Sequence, residues 1–323
     1  RRSGRVRAMA DRNLKPWLAR LASGTPTVPL HDAESGCTIW LKLEYLLPSG
    51  STKDRVATFV LAHAMASGAL TQESIVVEAS SGSTSIAFAM GCAMLGVRFV
   101  AVMPRGVSGE RVLIIRRYGG EVILTDPERG VLGAIEESRA MAARDPRVFL
   151  PRQFENPLNA LAHQRATGPE LIAQVDGTIH GFVAGVGTGG TLMGIAQALR
   201  ESGHPTRIAA ARPEKGSCFE GHPEICGGIP GVVDGLSAIL DPERIGLSPP
   251  IQVLDWEAVA AARALCRQGF PVGPSSGLNY AAARKMAREL GPGHNVATVL
   301  CDRMERYFST ELFADLQPSK EAR

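Results

Sequence analysis

The chain has 323 residues, 45% apolar and 21% charged, which is enough for one large or two medium domains and too hydrophobic for a disordered chain. Its net charge of +3 is too small to argue for nucleic acid or an anionic membrane as a partner. The six cysteines (Cys37, Cys92, Cys218, Cys226, Cys266, Cys301) include no C-x-x-C pair, so they read as thiols of a reducing compartment rather than a zinc site or disulfide framework.

Along the chain, Arg1, Arg2, Arg5 and Arg7 precede Met9 and read as an added remnant ahead of a natural start. Trp40 to Glu44 has a strand-like pattern, and the turn Pro48-Ser49-Gly50-Ser51-Thr52 leads into a helix opening at Lys53. Ile75 to Val77 predicts a strand, followed by the hydroxyl-rich turn Ser80–Ser85 and a helix from about Ile86. The longest apolar stretch, Ile86 to Met103, is broken by Gly91, Gly96 and Arg98, and reads as a buried helix plus a strand, not a membrane span. Phe99 to Met103 and Glu121 to Leu124 are further strands, each with a turn and a helix behind it. Phe182 to Val186, Ile208 to Ala211 and Val296 to Leu300 repeat the pattern, the first of them leading into a helix over Leu192–Leu199. Strand–helix alternation of this kind predicts parallel sheets covered on both faces, with ligands at the carboxyl ends of the strands. The expected fold is α/β, with two domains that each carry a mainly parallel sheet flanked by helices. Its expected limits are an N-terminal extension (1–23), a smaller mobile domain (49–155), a larger domain (24–48 plus 156–310) and a tail (311–323).

Four segments could carry chemistry. Lys53 is one of only six lysines, and it sits at a helix start. The positive end of a helix dipole disfavours an ammonium there and favours the neutral, nucleophilic amine. Taken alone, the segment reads as a capping loop with an exposed lysine, and no G-x-x-x-x-G-K-[ST] is present to make it a P-loop. The second segment, Ser80-Ser81-Gly82-Ser83-Thr84-Ser85, offers five hydroxyls where one N-cap would do, which suits a carboxylate or phosphate ligand. The third, Gly185-Val186-Gly187-Thr188-Gly189-Gly190-Thr191, lets backbone approach phosphate oxygens at a helix start. Gly185, Gly187 and Gly190 also satisfy G-x-G-x-x-G, so a nicotinamide-dependent oxidoreductase is the alternative of another class. That alternative leaves Lys53 and the serine run without a task. The fourth segment, Gly273-Pro274-Ser275-Ser276-Gly277, opens a further helix.

Together these segments resemble the cysteine synthase (O-acetylserine sulfhydrylase) and cystathionine β-synthase family of fold-type II pyridoxal 5′-phosphate enzymes, from about Gly24 to Thr310. Gln153-Phe154-Glu155-Asn156-Pro157 and the stretch from Asp302 to Thr310 support the resemblance. It implies that Lys53 carries the cofactor as a Schiff base and later moves the α-proton. It implies that Gly187, Thr188, Gly189, Gly190 and Thr191 hold the phosphate, with Ser83 beside the ring and Ser275 at the pyridine nitrogen. Ser80, Ser81, Gly82, Thr84, Gln153 and Gly228 are implied to take the substrate. No metal is implied. The implied activity is β-replacement on an O-activated L-serine, O-acetylserine plus sulfide to L-cysteine, through an aminoacrylate. The alternative within the fold is L-cysteine desulfhydration or another β-elimination. The partners implied are an amino-acid substrate, a thiol- or sulfide-type nucleophile and a second copy in a cytoplasmic homodimer, with no nucleic acid and no membrane.

Two departures bear on substrate. Where the family usually has Asn this chain has Ser83, and Ser85 stands in place of Gly. The substrate loop Gly228-Ile229-Pro230-Gly231-Val232-Val233-Asp234 gains a proline that stiffens it and an acidic residue that could meet a substrate ammonium or repel a second carboxylate.

Overall fold

The computed structural model describes residues 21–80, 82–214, 229–232 and 236–316. The strands are β1 (Thr27–Asp32), β2 (Cys37–Leu43), β3 (Ile75–Ala79), β4 (Arg98–Pro104), β5 (Glu121–Thr125), β6 (Val148–Phe149), β7 (Gly181–Gly185), β8 (Arg207–Glu214), β9 (Leu247–Leu254) and β10 (Asn295–Leu300). The helices are α1 (Lys53–Ser67), α2 (Ser83–Leu95), α3 (Gly109–Arg117), α4 (Gly130–Arg144), α5 (Leu158–Ala162), α6 (Gly168–Gln174), α7 (Gly190–Glu201), α8 (Pro242–Ile245), α9 (Asp255–Arg267) and α10 (Pro274–Leu290).

These strands form two sheets. A four-stranded one runs β5-β4-β3-β6 and a six-stranded one runs β1-β2-β10-β7-β8-β9. The smaller sheet is parallel throughout. In the larger, only the edge pair β1–β2 is antiparallel. The strand cores read as unbroken apolar runs because both faces are covered. Val76, Ala101 and Met103 pack with α1 and α2 residues such as Leu61 and Phe88 on one face of the smaller sheet, and Val77 and Val102 pack with Ala134 of α4 on the other. In the larger sheet, Leu41, Val183 and Val296 meet Leu278 and Met286 of α10, while Phe182, Ala184 and Val299 meet Leu192 and Ile195 of α7.

The architecture is the α/β arrangement expected, with several changes of extent. The strand after residue 181 stops at Gly185, so Val186 already belongs to the glycine turn, and the following helix opens at Gly190. β8 runs on through Arg212-Pro213-Glu214 to pair with β9. Among the described residues no helix is long and apolar enough to cross a membrane.

Candidate active site

The carboxyl ends of β3, β7 and β10 and the start of α1 meet at a cleft of about 920 Å³, open solvent at its mouth included. Lys53, Ser80, Ser83, Thr84, Gln153, Gly187, Thr188, Gly189, Thr191 and Ser275 all line it. Gly82 and Gly190 stand just behind: a Cβ at Gly82 would strike the Arg111 side chain, and one at Gly190 would strike the amide of Asn159. Ser81, Gly228 and Asp234 lie outside the described residues.

Lys53 is aimed by its neighbours. Thr52 N–H donates to Cys301 O at 2.8 Å, which stitches the loop before α1 to the end of β10. The carboxylate of Asp54 accepts the Ser49 backbone N–H at 2.7 Å and also its hydroxyl, closing the turn. Burial pushes Asp54 up to about 6, against the pull of those two Ser49 bonds. Behind the helix start lies a buried charge network. Arg55 donates to Glu44 at 2.7 and 3.0 Å and to both oxygens of Glu170 at 2.7 Å, and Lys42 reaches Glu170 at 2.9 Å. Burial would raise the Glu170 carboxyl, but Arg55 outweighs it and holds the group at about 2.

The glycine turn is built for close approach. A Cβ at Gly187 would lie nearer to Gly231 O than the 3.0 Å that real Cβ atoms keep. Gly189 takes a left-handed φ of 81° just before α7. Asn159 Nδ2 donates to Thr188 Oγ1 at 2.9 Å and to Gln153 O at 2.8 Å, so one amide ties this turn to the residue opposite. Thr191 Oγ1 meets His163 Nε2 at 3.2 Å, and burial holds that imidazole well below its usual range, in the neutral form.

The serine run divides its labour. Ser80 Oγ accepts the Gly82 N–H at 3.0 Å, Thr84 Oγ1 donates to Gln153 Oε1 at 2.6 Å, and Gln153 Nε2 donates to Ala79 O at 2.7 Å. Ser83 Oγ donates to Asp302 Oδ2 at 2.8 Å, an oxygen that also accepts the Tyr307 hydroxyl at 2.7 Å. Ser85 is fully buried and away from the cleft lining. Burial pushes the Cys301 thiol up to about 11, and burial likewise raises the Tyr307 hydroxyl, so both stay protonated near neutral pH.

Asn159, Asn279 and Tyr307 are the structural additions to the residues singled out from sequence. Asn279 accepts the Gly185 N–H at 2.7 Å and donates to Val299 O at 2.8 Å, joining β7 to β10 beneath the glycine turn. The helix start at Ser275 was a visible signal for Asn279, four residues on; for Asn159 the signal was its place in the stretch after Gln153.

A protein-family model described as "Pyridoxal-phosphate dependent enzyme" matches residues 18–302. A cysteine synthase from Staphylococcus aureus is 36% identical, over 92% of this chain and 96% of its own length. Among solved structures, a hydrogen sulfide-producing enzyme from Fusobacterium nucleatum superposes with a TM-score of 0.86 at 31% identity, over 96% of this chain and 95% of that one. An O-acetylserine-dependent cystathionine β-synthase from Helicobacter pylori gives 0.81 at 31% identity, over 92% and 98%.

Proposed function

The chain belongs to the cysteine synthase family of pyridoxal-phosphate-dependent enzymes, and from that premise we propose that it carries out β-replacement on an O-activated L-serine. O-acetylserine with sulfide, giving L-cysteine, is the first pairing. The observation that carries this reading is the meeting of Lys53, the 187–191 turn, Ser275 and the Ser80–Gln153 cradle in one cleft, from four segments far apart in sequence.

The residues present fit the cofactor. The 187–191 turn leaves room for backbone alone on its tight side, and it opens a twelve-residue helix whose first N–H groups suit a phosphate. Gly187, Thr188, Gly189, Gly190 and Thr191 would hold that phosphate, Ser275 the ring nitrogen, and Lys53 the aldehyde carbon. When bound, the cofactor supplies an electron sink for bond changes at the substrate's Cα and Cβ. Ser275 is a neutral hydroxyl, which stabilises charge on the ring less than a carboxylate would and so favours prompt loss of a β leaving group.

The protein does the rest. Ser80, Gly82, Thr84 and Gln153 would receive the substrate carboxylate, and Ser81 and Gly228, outside the described residues, belong to the same set by resemblance alone. Ser83, fixed by Asp302, would stand beside the ring. Lys53 Nζ would take the proton from Cα as the leaving group departs and return one after sulfide adds at Cβ. We take residues 49–155 as the mobile domain and 24–48 with 156–310 as the phosphate-holding one. A cytoplasmic homodimer belongs to the same proposal. Sulfide release from L-cysteine is the second reading, favoured by the likeness to the hydrogen sulfide-producing enzyme and by Ser83.

The test is a panel of β-substituted alanines offered with and without sulfide. O-acetylserine should yield L-cysteine at rates well above those of sulfide release from L-cysteine. Turnover of none of the panel by cofactor-loaded protein would reject the function, and the reverse ranking would install the second reading.

A further inference from the structure

Glu78 lies on β3, two residues before Ser80, and is 3% exposed. The backbone N–H groups of Gln153, Ala79 and Arg152 lie near enough to its carboxyl to pull its pKa down against burial, and its Oε2 is buried with no hydrogen-bond partner. A second, smaller cavity holds this carboxyl, and Gln153 and Phe154 line both that cavity and the cleft. The wall between Glu78 and the substrate is therefore one residue thick.

That wall is strained. Arg152 has φ 54°, a left-handed backbone found at no other non-glycine among the described residues. Such a conformation is unfavourable for a side-chain-bearing residue and persists only where its surroundings fix it. Here Arg152 O accepts the N–H groups of Glu155 and Asn156, both at 2.9 Å, and Asn159 holds Gln153 O from the far side. Glu78 faces the opposite, N–H edge of the same turn across the small cavity.

We propose that Glu78 is a positioning residue for substrate recognition, holding the left-handed 152–153 turn so that Gln153 faces the cleft. The proposal rests on the function given above only in taking Gln153 as a reader of the substrate carboxylate. Burial pushes Glu78 up to about 8, so the group is neutral at pH 7. Above that pH a negative charge would arise directly behind a site for an anion. Glu155 on the same loop adds to that charge, and Arg139 of α4 is engaged with Glu155 by a salt bridge. Arg152 is the remaining cation on the cavity wall, while the neighbouring strand sets Ala101 beside Glu78 and the rest of the wall includes the apolar Val77, Ile135 and Leu150.

Three readouts test it on the cofactor-loaded protein. In Glu78→Leu the carboxyl is gone, and the KM for the amino-acid donor should rise about tenfold with kcat changed far less. Amide exchange at Arg152 and Gln153 should accelerate by a similar factor. In wild type the KM should also climb between pH 7 and 9, and Glu78→Gln, neutral throughout and still an acceptor, should rescue the low KM and flatten that rise. Unchanged exchange at 152–153 in Glu78→Leu would overturn the proposal, as would a Glu78→Gln profile that climbs like wild type. If Glu78→Leu does not fold, the Glu78→Gln profile decides alone. Exchange is read without turnover, so a failure of the parent function would show separately, as wild type inert toward every donor.

Discussion

Replacing Arg55 by leucine tests how the start of the helix that carries Lys53 is held. The guanidinium is 2% exposed and makes four charge-assisted bonds, two to Glu44 and two to Glu170, at 2.7 to 3.0 Å. In Arg55→Leu, Glu170 keeps Lys42, but Glu44, fully buried, keeps only the hydroxyls of Thr25 and Thr52 at 2.6 and 3.3 Å. Stranding a buried charge in this way costs about 3–5 kcal/mol. Guanidinium denaturation should show a loss of that size at pH 7. Adding Glu44→Gln should return at least about 1 kcal/mol, because a neutral partner needs no cation. The effect has a pH window. Glu170 is depressed to about 2, so the stability it draws from Arg55 is present above pH 4.5 and fades as pH falls toward 2. Arg55 lies two residues beyond Lys53, so cofactor loading should weaken too. A loss under about 1 kcal/mol, or no recovery in the double variant, would refute the reasoning.

Gly187→Ala would force a methyl against Gly231 O, and cofactor affinity measured by equilibrium dialysis should fall at least about tenfold; wild-type affinity would show that the turn has slack. Asn159→Ala removes bonds to both Thr188 and Gln153, and should weaken cofactor affinity and donor KM together; movement of only one would mean the two sides of the cleft are not joined there. Asp54 has its carboxyl raised to about 6, so the folded chain keeps a proton that the unfolded chain has given up. Its contribution is therefore full below pH 4 and lost as pH rises through 6. Asp54→Asn should flatten the decline in denaturation free energy between pH 4 and 6.5, and an identical slope in both proteins would contradict that.

Much of this architecture was legible in the sequence because the parallel strands are buried on both faces and write themselves as apolar runs between glycine and serine turns. The exceptions are the edges of the larger sheet. β1 contains Pro29, His31 and Asp32, and β9 contains Ser248, Pro249 and Pro250, so both look like loops. Each has one unpaired edge, where a missing N–H costs nothing, and β9 absorbs its prolines in a register shift between Ala209 and Ala211 of β8. In the site, Lys53, Thr84, Thr191 and Ser275 were visible because each stands in the first turn of a helix, Ser80, Ser83 and Thr188 because they belong to the serine- and glycine-rich segments, and Gln153 through the resemblance of its stretch to the family. Asn159 and Asn279 stand close to segments that were visible, but what each does, like Tyr307, depends on a partner at the end of another strand or loop. Glu78 was hidden differently: in sequence it is an acidic interruption of Ile75-Val76-Val77, and only the left-handed turn at Arg152 shows what it faces.

The central claim is that the cofactor is held on Lys53, and borohydride reduction of the loaded protein followed by peptide mass spectrometry tests it most directly. Reduced protein should yield one peptide bearing a reduced pyridoxyl phosphate, with the modification on Lys53 and absent from Lys53→Ala. An unmodified Lys53 peptide, or the adduct on Lys42 or Lys285 instead, would contradict it.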